Sequence, residues 1–254
     1  MKIKIMYVVG LVFVFVVSVL VHLPASMALK FIPQPRELSL SGVGGTLWQG
    51  EVQSARWMNH DLGSLAWKLR PLAIFTGNIS ANVALGKRHE SALRGTGEVG
   101  IGFTGIYVRN LSLSAPARVV AENMNLPVPV NAEGAFKVVI QNYRYRSPFC
   151  AQAQGEITWT NAQISMLAQS VPLEKVSARL ACEDSQISLK GQQLSDMVQS
   201  EYSVTLTPKE DYQLQGWVKP SAHFPRLFSQ WIQTHASTDA EGRYSFQSNG
   251  RLPN

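Results

Sequence analysis

Val176-Ser177-Ala178-Arg179-Leu180-Ala181-Cys182-Glu183 sets Val, Ala, Leu and Cys on one parity against Ser, Arg and Glu on the other. Side chains of a β-strand alternate between two faces, so this stretch reads as a strand with one apolar and one polar side. The same period runs outward in both directions. Upstream it holds for Ile79, Ala81, Val83 and Leu85, for Val99, Ile101 and Phe103, and for Leu111 and Leu113. It returns in Phe136, Val138 and Ile140, alternating with Lys137 and Gln141, and in Ile157 and Trp159. Downstream it covers Ile187 and Leu189, Tyr202, Val204 and Leu206, Tyr212, Leu214 and Val218, and Tyr244 and Phe246. About ten short strands result, bounded by Gly, Pro, Asn and Asp. The expected fold is all-β and mainly antiparallel, a curved sheet or a sandwich, because each strand keeps one wet face. Alternation sets face polarity but leaves open sheet and closed sandwich undecided.

Helical period is scarce. The best candidate is a short C-terminal helix from Pro225 to about Thr234, with Leu227, Phe228, Trp231 and Ile232 on one side. It could cap a sheet or rest on a membrane surface, and packing onto the core is the commoner use of such a face. Pro33, Pro35 and Pro127-Val128-Pro129 mark extended linker or loop segments.

One segment obeys neither period. Ile5 to Leu23 reads IMYVVGLVFVFVVSVLVHL without a formal charge. As a helix it spans roughly 28 Å, near the hydrocarbon thickness of a bilayer. Lys2 and Lys4 precede it, which predicts a cytoplasmic N-terminus and a domain exported beyond the membrane. A cleaved signal peptide is the competing reading, since Ser26 and Ala28 offer small residues at a cleavage site. The length of the apolar run favours a retained anchor. The expected division is a cytoplasmic N-terminus over residues 1–4, an anchor over 5–23, a linker over 24–41 and a periplasmic β domain over 42–254.

The chain has 254 residues, 45% of them hydrophobic and 16% charged. These values exclude a disordered chain and do not suggest several membrane spans. The net charge is +6, but the basic residues are scattered, and nucleic acid would need a basic stripe. Cys150 and Cys182 are the two cysteines, and an even pair in an exported domain suggests a disulfide. Two buried reduced thiols are the alternative. No CxxC or Cys/His cluster points to a metal or redox centre.

Several strings imitate catalytic or binding motifs. Gly95-Thr96-Gly97-Glu98-Val99-Gly100 and Gly100-Ile101-Gly102-Phe103-Thr104-Gly105 both match GxGxxG. A dinucleotide site needs a helix after that string, whereas Ile106-Tyr107-Val108 continues the strand pattern. The histidines, at 22, 60, 89, 223 and 235, form no metal-ligand spacing. His60-Asp61 reads as a polar turn, and Glu183-Asp184 and Glu210-Asp211 as solvated loops. Tyr143-Arg144-Tyr145-Arg146 reads as a strand with aromatics on one face and arginines on the other. No nucleophile elbow is present, so neither an enzyme nor a cofactor is expected.

Two tryptophan-containing segments remain: Gly45-Thr46-Leu47-Trp48-Gln49-Gly50, and Leu65-Ala66-Trp67-Lys68-Leu69-Arg70-Pro71-Leu72 closing at Gly77. Behind an N-terminal anchor, they resemble protein N of the type II (general) secretion pathway. More distantly they are similar to AsmA-like envelope proteins. The first resemblance implies a component or accessory of the machine that moves folded proteins across the outer membrane. It would act by protein–protein contact with other inner-membrane secretion components, and no catalytic residue carries over. The second implies a β groove that binds lipid or another hydrophobic ligand. Gly45, Trp48, Gly50, Trp67, Pro71 and Gly77 carry the motif, with the tryptophans expected as core residues more than as partner contacts.

Overall fold

The computed structural model describes residues 2–31, 38–58, 60–86, 93–122, 130–166 and 169–252. Pro33, Pro35, Pro127 to Pro129 and His89 lie outside the described residues. The chain divides into two units, Met1–Arg94 and Gly95–Asn254.

The first unit opens with α1 (Lys2–Val21) and α2 (Ala25–Phe31). Four antiparallel strands follow: β1 (Leu38–Gly45), β2 (Gln49–Trp57), β3 (His60–Leu69) and β4 (Ile79–Leu85). Each pairs with its neighbour in sequence. Ala25 and Ala28 of α2 are buried, small side chains on the helix that packs against β1, and Val52 and Ala55 of β2 are buried too. Every large apolar side chain of α1 from Tyr7 to Val21 is exposed. Among the described residues, no helix is long and apolar enough to cross a membrane.

The second unit is a longer meander. It runs through β5 (Arg94–Gly102), β6 (Gly105–Pro116), β7 (Asn131–Arg144), β8 (Gln152–Met166) and β9 (Gln169–Glu183). It continues through β10 (Gln186–Leu194), β11 (Val198–Leu206), β12 (Asp211–Pro220), β13 (Ser237–Thr238) and β14 (Tyr244–Arg251). Strand order follows sequence until β14 steps between β12 and β13. Two further helices are α3 (Ala117–Glu122), packed on β6 and β7, and α4 (Arg226–His235). The expected C-terminal helix is therefore present, with Pro225 at its N-cap.

Register keeps the two faces separate across many strands. Leu113 faces Val138, which faces Ile157; Leu180 faces Leu189, then Val204, then Leu214. On the other side Glu156, Arg179, Lys190, Ser203, Gln215 and Gln247 form one continuous row. The apolar row is only half-buried. Among the described residues the largest fully buried side chains are Val52, Cys150 and Cys182. Strands of the second unit thus form one open sheet rather than two facing ones, and apolar burial is shared thinly.

Covalent and polar ties compensate locally. Cys150 and Cys182 form a disulfide with Cα atoms 6.4 Å apart. It closes a loop of 32 residues, worth roughly 3–4 kcal/mol in the chain-entropy model. Ala153, Tyr143, Phe149 and Ile187 pack around it, and the Tyr143 hydroxyl donates to the Phe149 carbonyl at 2.6 Å. Burial, with Tyr145 nearby, pushes the Tyr143 phenol above its ordinary value. Asp184 and Ser185 both have positive φ and make the tight turn from β9 to β10. The solvated turn expected at Glu183-Asp184 is this hairpin tip, where Asp184 meets Arg146 at 3.0 Å. Of the stretch expected as a strand at Tyr143-Arg144-Tyr145-Arg146, only Tyr143 and Arg144 end β7; Tyr145 and Arg146 lie past it, where the chain leaves the ladder.

The turn between β13 and β14 is held by Asp239. Its carboxylate accepts the Glu241 and Arg243 amides at 3.0 and 2.8 Å and the Arg243 Nε at 2.7 Å. The Arg243 amide, then its side chain, hold the Asp239 carboxyl below the usual carboxylate range. A depressed carboxyl stabilises fully above the ordinary range and loses that contribution as pH falls through its own lowered value. Asp239→Asn should weaken Arg243 amide protection at neutral pH, read by hydrogen exchange. Variant and native protection should converge in acid, once the native carboxyl is protonated.

Candidate interaction site at the helix–sheet junction

An α-helix ends with carbonyl groups that have no partner inside the helix. In α1 the Ser18 carbonyl is taken by the His22 amide at 3.1 Å and meets the His22 ring Nδ1 at 2.8 Å. The Leu20 carbonyl is taken from outside: the Trp48 indole N–H donates to it at 2.8 Å. Just beyond, the Leu47 amide donates to the Leu23 carbonyl at 2.9 Å, and Pro24 bridges antiparallel to Thr46. The Pro24 carbonyl then accepts the Met27 and Ala28 amides, both at 3.1 Å, which starts α2.

The GTLWQG segment is shaped for this grip. It forms the turn from β1 to β2, closed by the Gly45–Gly50 pair. Gly45 has φ +83°, a region that disfavours side chains. Trp67 sits opposite Gly50 in the β2–β3 register, and a Cβ on Gly50 would run into the Trp67 ring. The close seat lets the Trp67 indole N–H reach the Leu47 carbonyl at 3.0 Å. The Trp48 carbonyl in turn accepts the Leu69 amide at 2.7 Å. Both tryptophans are half-buried. Each spends its N–H on a backbone carbonyl, so they act as backbone clamps and not as interior core residues.

Beyond Leu69 the motif makes a different object. Pro71–Thr76 is a 3-10 helix with no buried residue. Proline fits its start because a first-turn amide has no partner to lose. Gly77 closes it in the left-handed region at φ +72°, with its amide on the Ile74 carbonyl at 3.0 Å. The Thr76 hydroxyl donates to the Ala73 carbonyl at 2.8 Å. The result holds Leu72 and Phe75 in solvent, 77% and 87% exposed. Sequence reading did not single out this display. Its signal was Leu72-Ala73-Ile74-Phe75, four apolar residues that break the period of two between Pro71 and Gly77.

The structure brings Gly45, Trp48, Gly50, Trp67, Pro71 and Gly77 into one neighbourhood of the first unit. Of the expected anchor bounds, Ile5 lies in α1, while Leu23 falls past its end and accepts the Leu47 amide. The Cys150–Cys182 bond belongs to the second unit. Both GxGxxG strings lie on β5 and in its turn to β6, with no helix after them. A groove of about 1100 Å³ crosses the second unit, but Glu156, Arg179, Lys190, Glu201 and Gln215 of the polar face line it. Two cations, Arg179 and Lys190, and two anions, Glu156 and Glu201, line it, so the groove presents no single charge sign to a ligand.

A family model described as type II secretion system (T2SS), protein N matches residues 36–247. The chain belongs to that family. It is similar to Type II secretion system protein N of Vibrio cholerae, 38% identical over 96% of this chain and 97% of the relative. It is also similar to the proteins of that name from Aeromonas hydrophila, 29% identical over 92% of each chain, and from Pectobacterium carotovorum, 23% identical over 91% and 90%. No solved structure matches.

The clamp yields a paired test. A Cβ at Gly50 meets the Trp67 ring, whereas one at Gly44, also in the β1–β2 ladder, meets nothing. Gly50→Ala should therefore destabilise by about 1–3 kcal/mol through overpacking, and Gly44→Ala by much less. Urea unfolding of the two variants beside the native chain measures the difference.

Proposed function

We propose that this chain is a non-catalytic component of the type II secretion system. In this reading α1 anchors it in the inner membrane, with the N-terminus in the cytoplasm and both β units in the periplasm. It acts by protein–protein contact with other inner-membrane components of the system. The observation that carries the reading is the bond from Trp48 to the Leu20 carbonyl. It ties an apolar helix, whose large side chains from Tyr7 to Val21 are exposed, to the Gly45–Gly50 turn. A helix apolar on every side is unfavourable in water, and lipid supplies the missing cover. Lys2 and Lys4 before it match the positive-inside rule.

The alternative, a β groove for lipid or another hydrophobic ligand, gains from the half-buried apolar row of the second unit. It gains nothing from the groove itself, whose lining is mainly the polar parity.

An in-frame deletion, complemented from a plasmid, tests the first reading. A normally secreted protein should be retained in the periplasm and released to the medium again on complementation. Unchanged secretion would sink it. Unchanged secretion with altered envelope lipid would move the reading to the hydrophobic-ligand alternative.

A further inference from the structure

We infer that the Pro71–Thr76 turn is a second membrane contact, dipping into the interface of the bilayer that holds α1; this rests on the anchor reading above. Leu72, Ile74 and Phe75 are exposed, as is Ile79 at the start of β4. Apolar groups displayed together on a surface signal a binding face. Here the geometry is fixed and not a fraying loop: Gly77 caps the turn, Thr76 bonds back to Ala73, and the Asn78 amide reaches the Ala73 carbonyl at 3.0 Å.

What selects lipid as the occupant is continuity with the helix. The Trp48 indole bonds the Leu20 carbonyl at the end of α1, and the Trp48 carbonyl receives the Leu69 amide. Pro71 follows Leu69 by two residues, at most roughly 7 Å of chain. One tryptophan therefore connects the point where α1 leaves its last turn to the strand that feeds the apolar turn. If α1 spans the bilayer, Leu72, Ile74 and Phe75 are held beside its exit. Lys68, exposed on β3 just before the turn, can meet an anionic headgroup such as that of phosphatidylglycerol. Short apolar displays flanked by basic residues bind at the boundary of headgroups and acyl chains. Two contacts, helix and turn, would restrict the tilt of the first unit over the membrane, which a single helix leaves free.

The test uses the full chain in liposomes of phosphatidylethanolamine and phosphatidylglycerol, with an environment-sensitive fluorophore on single introduced cysteines. The native cysteines are bonded to each other and do not compete. Phe75→Cys reports the turn, Phe13→Cys reports α1, and Lys209→Cys, in an exposed polar turn, reports water. Phe75 is 87% exposed, so its replacement leaves packing intact. Nitroxide-bearing lipids should quench the labels at 13 and 75 several-fold more than the label at 209. Quenching at 13 with a water-like signal at 75 overturns the inference and leaves the anchor standing; the turn would then face a partner protein. Quenching at neither position overturns the inference together with the anchor reading.

Discussion

One hydrogen bond organises the first unit: the Trp48 indole N–H on the Leu20 carbonyl. The helix end leaves its last carbonyls without partners inside the helix, and they must be satisfied from outside it. A side chain from the sheet fills the role of a helix cap and fastens the two elements together. The requirement then spreads. Trp48 can reach α1 only if the turn from β1 to β2 is tight, which calls for glycine at 45. The turn stays in place because Trp67 lies over Gly50 and bonds Leu47. Thus residues far apart in sequence answer one constraint.

The second unit follows a different economy. Up to β12 its strands pair with sequence neighbours, so those hairpins form locally and little chain entropy is lost to long loops; β14 instead reaches past α4 and β13 to pair with β12. An open sheet cannot bury large side chains deeply, and its apolar row remains half-buried. Alanines and a disulfide hold the densest part, around Cys150, Ala153 and Cys182.

Much of this was legible in the sequence. The parity of Val176, Ala178, Leu180 and Cys182 survives unchanged in the register with β10. The C-terminal helix after Pro225 was also readable, since its apolar residues repeat at helical spacing. The first three strands were not. Leu38 and Leu40 alternate with Ser39 and Ser41 only briefly before Gly42; Ser54 and Ser64 stand where a clear alternation would show apolar residues, and register shifts near Ala55 scramble the period. The motif was visible as a resemblance, but its physical role was not. That depends on which carbonyl each indole meets, and no spacing encodes a partner on another element. The turn at Leu72 escaped because apolar residues suggest a core, and here the fold holds them out.

The central claim is that Trp48 fixes α1 to the sheet. Its most direct test is a pulsed dipolar distance measurement on the full chain in liposomes, with spin labels at Val17→Cys on α1 and Glu51→Cys on β2. Trp48→Phe keeps an aromatic ring but removes the N–H donor. The account predicts a narrow distance distribution in the native background and a clearly broader one with Trp48→Phe. Equal widths in the two backgrounds would contradict it.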